Sequence, residues 1–173
     1  MRPIRLQIRG INSFAEEQVI DFERLSERGI FGVFGPTGSG KSTILDGITL
    51  ALYGDIARNS ANFINANCDK AYVSFTFQIS GAEKRLYEVS REYRLDKNSL
   101  TPRSGKCRIT DITTEEYEVL ADKVTSVNNM CEQIIGLNKH DFMRTVVLPQ
   151  GKFSEFLKME GANRRDMLER LFN

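Results

Sequence analysis

A glycine-rich run of eight residues, GPTGSGKS at positions 35–42, constrains this chain more than any other feature. It matches the phosphate-loop pattern G-x-x-x-x-G-K-[ST] at every fixed position. The apolar run at 30–34 predicts a strand that enters the loop, and the apolar periodicity of 43–53 predicts a helix that leaves it. In such a strand, loop and helix, backbone N–H groups and the positive helix N-terminus surround phosphate oxygens. The chain is therefore predicted to bind a nucleoside triphosphate.

The residue types in this loop predict separate roles in holding a nucleotide and its metal ion. Lys41 is expected to reach the β- and γ-phosphates, and Ser42 to ligate Mg²⁺. The glycines allow the backbone to turn its N–H groups inward. The candidate phosphate-binding residues are Gly35, Pro36, Thr37, Gly38, Ser39, Gly40, Lys41 and Ser42.

Composition and charge restrict the classes of protein to which the chain can belong. A length of 173 residues suits one domain with a real core. The formal net charge of +1 argues against a basic nucleic-acid binder, so any DNA contact must be local. The N-terminus alternates instead of forming an apolar segment, and no apolar run approaches the length of a membrane span, so we expect no membrane contact and a cytoplasmic location.

Strand and helix patterns predict an α/β fold with a strand-rich first part and helices towards the end. Asp122 is predicted to be the N-cap of the second of two helices, which end at Gly54 and Gly136. The predicted strands lie at about 4–8, 18–22, 71–79, 85–94, 107–112 and 117–120, and a loop is predicted at 55–69.

One element of a complete phosphate-loop ATPase is missing from the sequence. We find no convincing apolar strand that ends in Asp or Asp-Glu, the motif that holds Mg²⁺ and polarises the attacking water. The run 138–141 (NKHD) matches the N-K-x-D guanine-reading motif literally, which leaves a GTPase as an alternative. A guanine reader normally follows a buried strand, whereas residues 134–137 have the pattern of a helix end. The sequence thus indicates an incomplete catalytic unit.

A resemblance to a known family rests on four runs in the same order: IRGINSF at 8–14, GPTGSGKSTILDGITLALYG at 35–54, VLPQGKFSEFL at 147–157 and RRDMLERLF at 164–172. Together they resemble the N-terminal ATPase lobe of the SbcC-type members of the chromosome-maintenance (SMC-like) ABC ATPases. The resemblance implies that 1–173 is one lobe of an ABC-type phosphate-loop head with an antiparallel β subdomain. It also implies that C-terminal helices lead to a coiled coil, whose first helix would begin at about 161–173.

The same resemblance implies further site residues. Gln150 follows a strand predicted at 145–148 and would be the Q-loop glutamine, which reaches Mg²⁺ and positions the attacking water. Lys41 and Gln150 are therefore the candidate catalytic residues. The alternative is that Gln150 is an ordinary residue of a surface loop. Thr43 would lie at the α-phosphate. Asn12 and Ser13 would contact the nucleotide or, alternatively, form a strand-end turn. The last candidates for nucleotide contact are Ile64, Asn65 and Ala66.

The function that the resemblance implies is that of the ATP-binding half of a DNA-repair ATPase. Its cofactors would be ATP and Mg²⁺. Its partners would be its own C-terminal ATPase lobe, a second copy of the head, an SbcD-like nuclease subunit and double-stranded DNA. The complete head would dimerise on ATP, hydrolyse it and control the nuclease at DNA ends and hairpins, whereas this lobe alone would be inactive. The alternatives are a structural SMC-type DNA tether without a nuclease, an ABC transporter subunit, and a compact phosphate-loop kinase or GTPase.

A local excess of positive charge suggests where DNA would bind. Residues 84–108 contain eight basic residues against three acidic ones. Such a ribbon can lie along phosphates without reading bases. A solvated hairpin of mixed charge is the alternative interpretation.

Overall fold

The fold is built around a six-stranded antiparallel sheet with the strand order β2-β1-β3-β4-β5-β6. The structure is a computed structural model, and it describes residues 1–26, 29–56, 62–81 and 83–147, together with Gly161 and Arg165. The strands are β1 (Arg2–Arg9), β2 (Gln18–Asp21), β3 (Lys70–Ser80), β4 (Lys84–Leu95), β5 (Pro102–Asp111) and β6 (Glu118–Ala121). The helices are α1 (Phe22–Leu25), α2 (Lys41–Tyr53), α3 (Val124–Ile135) and α4 (Lys139–Phe142), and a π-helical turn follows at Met143–Val147.

The core lies between one face of this sheet and the helices α2 and α3. Apolar side chains alternate in β3 from Ala71 to Phe77 and face this core, as the two-residue period of a strand requires, and β4 adds Val89 and Tyr93 to the same face. Ser74 and Thr76, on the opposite face of β3, are buried as well. Helix α2 packs against β1, β3 and β4, whereas α3 packs against β5 and β6. Packing on the sheet therefore fixes the position of α2, whose first residue is Lys41.

The strands predicted at about 4–8, 18–22, 71–79, 85–94, 107–112 and 117–120 and the two predicted helix ends are confirmed, with shifts of a few residues at their boundaries. The register of β3 and β4 runs without interruption from Lys70 opposite Arg94 to Ser80 opposite Lys84. Both helix-ending glycines adopt left-handed backbone angles, with φ of 73° at Gly54 and 77° at Gly136.

The strand predicted at 30–34 is wrong. The segment has no regular secondary structure, and Ile30 and Phe34 are 88 % and 94 % exposed. A strand needs a neighbour to satisfy its backbone groups, and none of the described residues forms a ladder with this segment. The apolar run therefore presents Ile30 and Phe34 to solvent, whereas Phe31 packs against Phe22 with the ring centroids 5.9 Å apart.

Two smaller predictions also differ from the structure. The N-cap of α3 is Lys123 and not Asp122. Asp122 follows directly on the end of β6, and its backbone carbonyl accepts a hydrogen bond from the thiol of Cys107. Residues 143–147 form a π-helical turn, although a strand was predicted to begin at 145, because the helical backbone of α4 continues into this segment.

Among the described residues, no helix is both long and apolar enough to cross a membrane.

Candidate nucleotide-binding site

The phosphate loop leads directly into the first turn of α2. Gly38 and Gly40 have φ of 87° and 93°, angles that side chains other than glycine rarely adopt. The N–H of Thr43 donates to the Gly40 carbonyl at 2.9 Å, which starts the helical hydrogen bonding at Lys41. The N–H groups of the first turn and the helix dipole then create a partial positive charge at the loop. The residues from 35 to 39 are exposed, so this anion-binding end of α2 faces solvent.

Lys41 holds its ammonium group at the loop itself. Its Nζ donates to the carbonyl oxygens of Gly35 and Pro36, each at 2.7 Å. Ser42 is exposed in the first turn of α2, whereas Thr43 is 2 % exposed and lies within the core. The Lys41 ammonium and the Ser42 hydroxyl therefore lie at the same end of the helix. The sequence predicts that the phosphates and the metal bind at this end.

A tight turn between residues 10 and 14 packs directly against the phosphate loop. Ile11 and Phe14 exchange backbone hydrogen bonds of 3.0 and 2.8 Å, and Asn12 takes a left-handed φ of 46°. A Cβ added at Gly40 would lie 2.5 Å from the ring of Phe14, so the ring contacts the loop backbone. Asn12 and the exposed Ser13 are therefore held beside the phosphate loop, although they are remote from it in sequence.

The loop after residue 62 is bound to the other side of the same turn. The N–H of Asn12 donates to the Phe63 carbonyl at 2.8 Å, and the N–H of Asn65 donates to the Gly10 carbonyl at 2.9 Å. The Asn65 side-chain amide also donates to the Asn12 carbonyl at 2.5 Å. Ile64 is buried at 6 % exposure and its backbone bridges to Ile11, whereas Ala66 is exposed. The structure thus brings Asn12 and Asn65 together, while their predicted contact with the nucleotide stays a prediction.

Asp46 is a member of this arrangement that sequence reasoning missed. It lies on α2, is 1 % exposed, and accepts a hydrogen bond of 3.1 Å from the Asn12 amide. The signal was present in the sequence: a single charged residue interrupts an otherwise apolar helical run at 43–53. A buried carboxylate is rare unless it is paired or hydrogen-bonded.

The far end of α2 is joined to the segment that leads towards Gln150. The hydroxyl of Tyr53 donates to the Leu137 carbonyl at 3.0 Å, and its ring packs against Phe142 with the centroids 5.4 Å apart. Lys139 forms an ion pair with Asp55 just beyond the helix. Gln150 itself lies outside the described residues, so its predicted Q-loop role stays a prediction.

The residues that match the guanine-reading motif form a helix cap. Asn138 is the N-cap of α4, and its side-chain oxygen accepts from the N–H of Asp141 at 2.9 Å. Its amide nitrogen donates to the Asp141 carboxylate at 3.0 Å. The capping preference of Asn explains the match without a guanine base, which disfavours the GTPase alternative.

The basic residues between 84 and 108 differ in their exposure and in their ion pairs. Arg91 is 1 % exposed and cannot contact DNA. Arg103 forms a 2.5 Å ion pair with Asp96, and Arg85 lies 3.7 Å from Asp111. Arg94 is exposed and lies opposite Arg103 in the ladder. Exposed positive charge, that of Arg94, therefore lies near the turn end of the hairpin formed by β4 and β5.

The face of the sheet that points away from α2 and α3 forms a broad concave surface, lined largely by β4 and β5 themselves. Its volume is about 830 Å³, and its lining combines basic, acidic and hydroxyl side chains. The polar and charged residues that line it include Tyr72, Glu88, Ser90, Glu92, Lys106, Arg108, Thr110 and Asp122.

The arrangement around α2 fits a bound magnesium nucleotide. The left-handed loop glycines, the ammonium of Lys41 and the exposed hydroxyl of Ser42 supply the donors and the oxygen ligand that phosphates and Mg²⁺ require. Within the described ranges, no group of three or more His, Cys, Asp or Glu residues could hold a metal ion by itself.

The chain is similar to known proteins along nearly its whole length. The family described as "AAA domain" matches residues 5–173. The chain is 61 % identical over 173 residues to the C subunit of the nuclease SbcCD from Clostridium acetobutylicum and 50 % identical over 176 residues to the protein of the same name from Bacillus subtilis. Each alignment covers 100 % of this chain but only 15 % of the relative. The relative of that name from Vibrio cholerae is 31 % identical over 183 residues, covering 99 % of this chain and 18 % of the relative.

Proposed function

The chain belongs to the AAA domain family, and on that premise we propose that it is the ATP-binding lobe of an SbcC-type DNA-repair ATPase. The single observation that carries the proposal is the phosphate loop held against the Gly10–Phe14 turn, with Lys41 and Ser42 at the start of α2. The similarity along the whole chain to proteins named as the C subunit of the nuclease SbcCD supports the same assignment and favours a nuclease-associated ATPase over a tether without a nuclease.

The residues of this lobe bind and orient the nucleotide. The Lys41 ammonium turns from the Gly35 and Pro36 carbonyls, which it contacts in this structure, towards the β- and γ-phosphates. Ser42 supplies a hydroxyl to Mg²⁺, while the loop N–H groups hold the phosphate oxygens. Asn12, Ser13 and Asn65 line the side of the site next to the loop. When bound, MgATP supplies the phosphoanhydride whose hydrolysis drives the assembly.

The exposed apolar segment at 30–34 supports a second lobe that completes the site. Ile30 and Phe34 are almost fully exposed, and such a run is normally buried in a sheet. We propose that the protein's own C-terminal ATPase lobe packs over this segment. That lobe would also bring the catalytic acid that this sequence lacks. Gln150 would then position the attacking water, and the phosphate loop of each head would face the other head in an ATP-dependent dimer.

DNA and the nuclease are assigned to other surfaces of the assembly. Arg94 and its neighbours at the end of the β4–β5 hairpin would contact the DNA backbone, because their charge is exposed and local. An SbcD-like subunit would carry the nuclease chemistry, acting on double-stranded ends and hairpins under the control of the ATP state.

A nucleotide-binding experiment tests the proposal. In the full-length protein, Lys41→Ala is expected to abolish binding of MgATP and ATP-dependent pairing of the heads. Lys123→Ala is the matched control, because this lysine is exposed and its side chain makes no cap hydrogen bond. Unchanged MgATP binding by Lys41→Ala would refute the assignment.

A complementary experiment tests the division of the site between two lobes. Residues 1–173 alone are expected to turn over MgATP negligibly, and the rate is expected to rise sharply when the C-terminal lobe is added. Full turnover by residues 1–173 alone would show that the catalytic acid lies within them and would revive the single-chain enzyme alternatives.

A further inference from the structure

Asp46 is a buried carboxylate on the same helix as the phosphate-binding lysine. It lies one helical turn after Ser42 and is 1 % exposed, and no other charged residue of α2 is buried. Removing a carboxylate from water is unfavourable unless hydrogen bonds replace its hydration. An apolar residue of similar size would serve the packing of α2 on the sheet equally well. The burial of the Asp46 carboxylate therefore implies a role other than packing, and its hydrogen bonds indicate that role.

One of those hydrogen bonds joins Asp46 to a residue of the candidate site. The Asn12 amide nitrogen donates to Asp46 Oδ2 at 3.1 Å across a separation of 34 residues. Asn12 has a φ of 46°, a backbone conformation that Asn tolerates better than most residues. Because the nitrogen of the amide is bound to Asp46, the plane of the amide and the direction of its oxygen are fixed as well.

The same turn is held at two further points, so that Asp46 completes a three-point attachment. The ring of Phe14 contacts the backbone of Gly40, and the loop containing Asn65 bonds to the backbone of Gly10 and Asn12. Of these attachments, the bond to Asp46 is the one that links the side chain of Asn12 to the body of α2. Since α2 also carries Lys41 and Ser42, this bond fixes Asn12 relative to both of them.

We propose that Asp46 is a positioning residue of the nucleotide site, which holds Asn12 beside the phosphate loop through its side-chain hydrogen bond. The inference rests on the proposed function, because it requires Asn12 to contact the nucleotide. Asp46 acts through Asn12 and not on the phosphates directly, since a buried carboxylate would repel them. Loss of Asp46 then weakens nucleotide binding without removing any group that touches the nucleotide.

A double-mutant cycle between Asp46 and Asn12 tests this role in the full-length protein. The probe is MgATP, and its Kd is measured well below the unfolding temperature of every variant. Asp46→Ala and Asn12→Ala are each expected to raise Kd about tenfold, the effect of losing one well-placed hydrogen bond. The double variant is expected to be no more than about twofold weaker than either single variant, because both remove the same interaction. Asp46→Asn, whose amide oxygen still accepts from Asn12, is expected to stay within about threefold of the wild type.

The kinetic signature separates positioning from a general loss of structure. Asp46→Ala is expected to raise the KM for ATP while retaining kcat at saturating ATP, as expected when binding alone is weakened. Thr49→Val is the matched control, since Thr49 is equally buried one turn further along α2 and its hydroxyl donates within the helix, to the Leu45 and Asp46 carbonyls. If Asp46→Ala does not fold, Asp46→Glu replaces it in the cycle, because it keeps the charge but displaces the carboxylate by one methylene.

Three results would overturn the inference: an unchanged Kd in Asp46→Ala, effects of the two single variants that multiply to about a hundredfold, or an equal rise of Kd in Thr49→Val. Lys41→Ala distinguishes this failure from failure of the proposed function. If Lys41→Ala abolishes MgATP binding while Asp46→Ala leaves it unchanged, the nucleotide site stands and the role of Asp46 is refuted.

Discussion

Arg91 on β4 donates from its Nε to the carbonyl oxygen of Ala51, in the last turn of α2, at 2.6 Å. Its Nη2 also donates to the Leu52 carbonyl at 3.0 Å and to the Asn128 side chain of α3 at 2.7 Å. A cation at this end of a helix opposes the negative end of the helix dipole. One buried guanidinium therefore joins the sheet, the phosphate-loop helix and α3.

Replacing Arg91 by methionine is expected to destabilise the fold by about 3 kcal/mol. Methionine can fill much of the volume, but two buried carbonyls and the half-buried Asn128 side chain lose their donor, and each unsatisfied buried group costs about 1–3 kcal/mol before the structure relaxes. The urea midpoint should fall while the m-value is unchanged. Arg94→Met is the control on the same strand, and because Arg94 is exposed we expect a change within about 0.5 kcal/mol. Equal midpoints for the two variants would refute the role of Arg91.

Alanine at two glycines of the phosphate loop is expected to have different consequences. Both have positive φ, but a Cβ at Gly38 would meet nothing within 4 Å, whereas a Cβ at Gly40 would lie 2.5 Å from the Phe14 ring. Gly38→Ala should therefore cost about 1–2 kcal/mol for its left-handed backbone alone. Gly40→Ala should cost at least about 1 kcal/mol more, from the added steric conflict.

Urea unfolding without nucleotide measures both effects. Adding Phe14→Leu is expected to recover part of the loss caused by Gly40→Ala, with a coupling energy of about 1 kcal/mol, and to leave the loss caused by Gly38→Ala unchanged. Strict additivity of Phe14→Leu with Gly40→Ala would contradict the observed contact between the turn and the loop.

The sequence predicted the elements whose signals are local. The alternation at 71–79 identified β3, and glycines at helix ends identified the ends of α2 and α3. The strand predicted at 30–34 failed because strand formation depends on a neighbouring strand, which an apolar run cannot reveal. The bond between Asn12 and Asp46 joins residues 34 positions apart, so no local pattern could predict it.

The burial of Arg91, by contrast, could have been predicted. It alternates in step with Val89 and Tyr93, whose side chains lie on the buried face of the strand predicted at 85–94. The two-residue period of a strand thus places Arg91 on the core face, although it is one of the eight basic residues between 84 and 108.

Charge reversal at Arg94 is expected to weaken binding of the assembled protein to double-stranded DNA. The slope of log affinity against log salt should become shallower by about 1, as expected for the loss of one phosphate contact. Arg24→Glu makes the same charge change on α1, beside the opposite end of the sheet, and is expected to leave the slope unchanged. Equal slopes for wild type and Arg94→Glu would contradict a DNA contact at the hairpin end. Arg103→Glu is a weaker test, because it also breaks the ion pair with Asp96.

The turn that follows β4 is expected to make folding stability depend on pH through Asp96. Hydrogen bonds from the backbone N–H groups of Ser99 and Asn98, with the nearby charge of Arg103, lower the pKa of the Asp96 carboxyl below its usual value. Because folding lowers the pKa of this carboxyl, its negative charge stabilises the folded state at any pH above the unfolded pKa, which is about 3.9 for Asp. This contribution is lost as the pH falls through the lower pKa of the folded state. The stability difference between wild type and Asp96→Asn should therefore be constant from pH 7 to about 5 and shrink below about 4. Urea midpoints for both proteins at pH 7, 5, 4 and 3 measure this difference, with the exposed Asp122→Asn as the matched substitution. A difference that stays the same at every pH would show that Asp96 stabilises the turn through its shape and not through its charge.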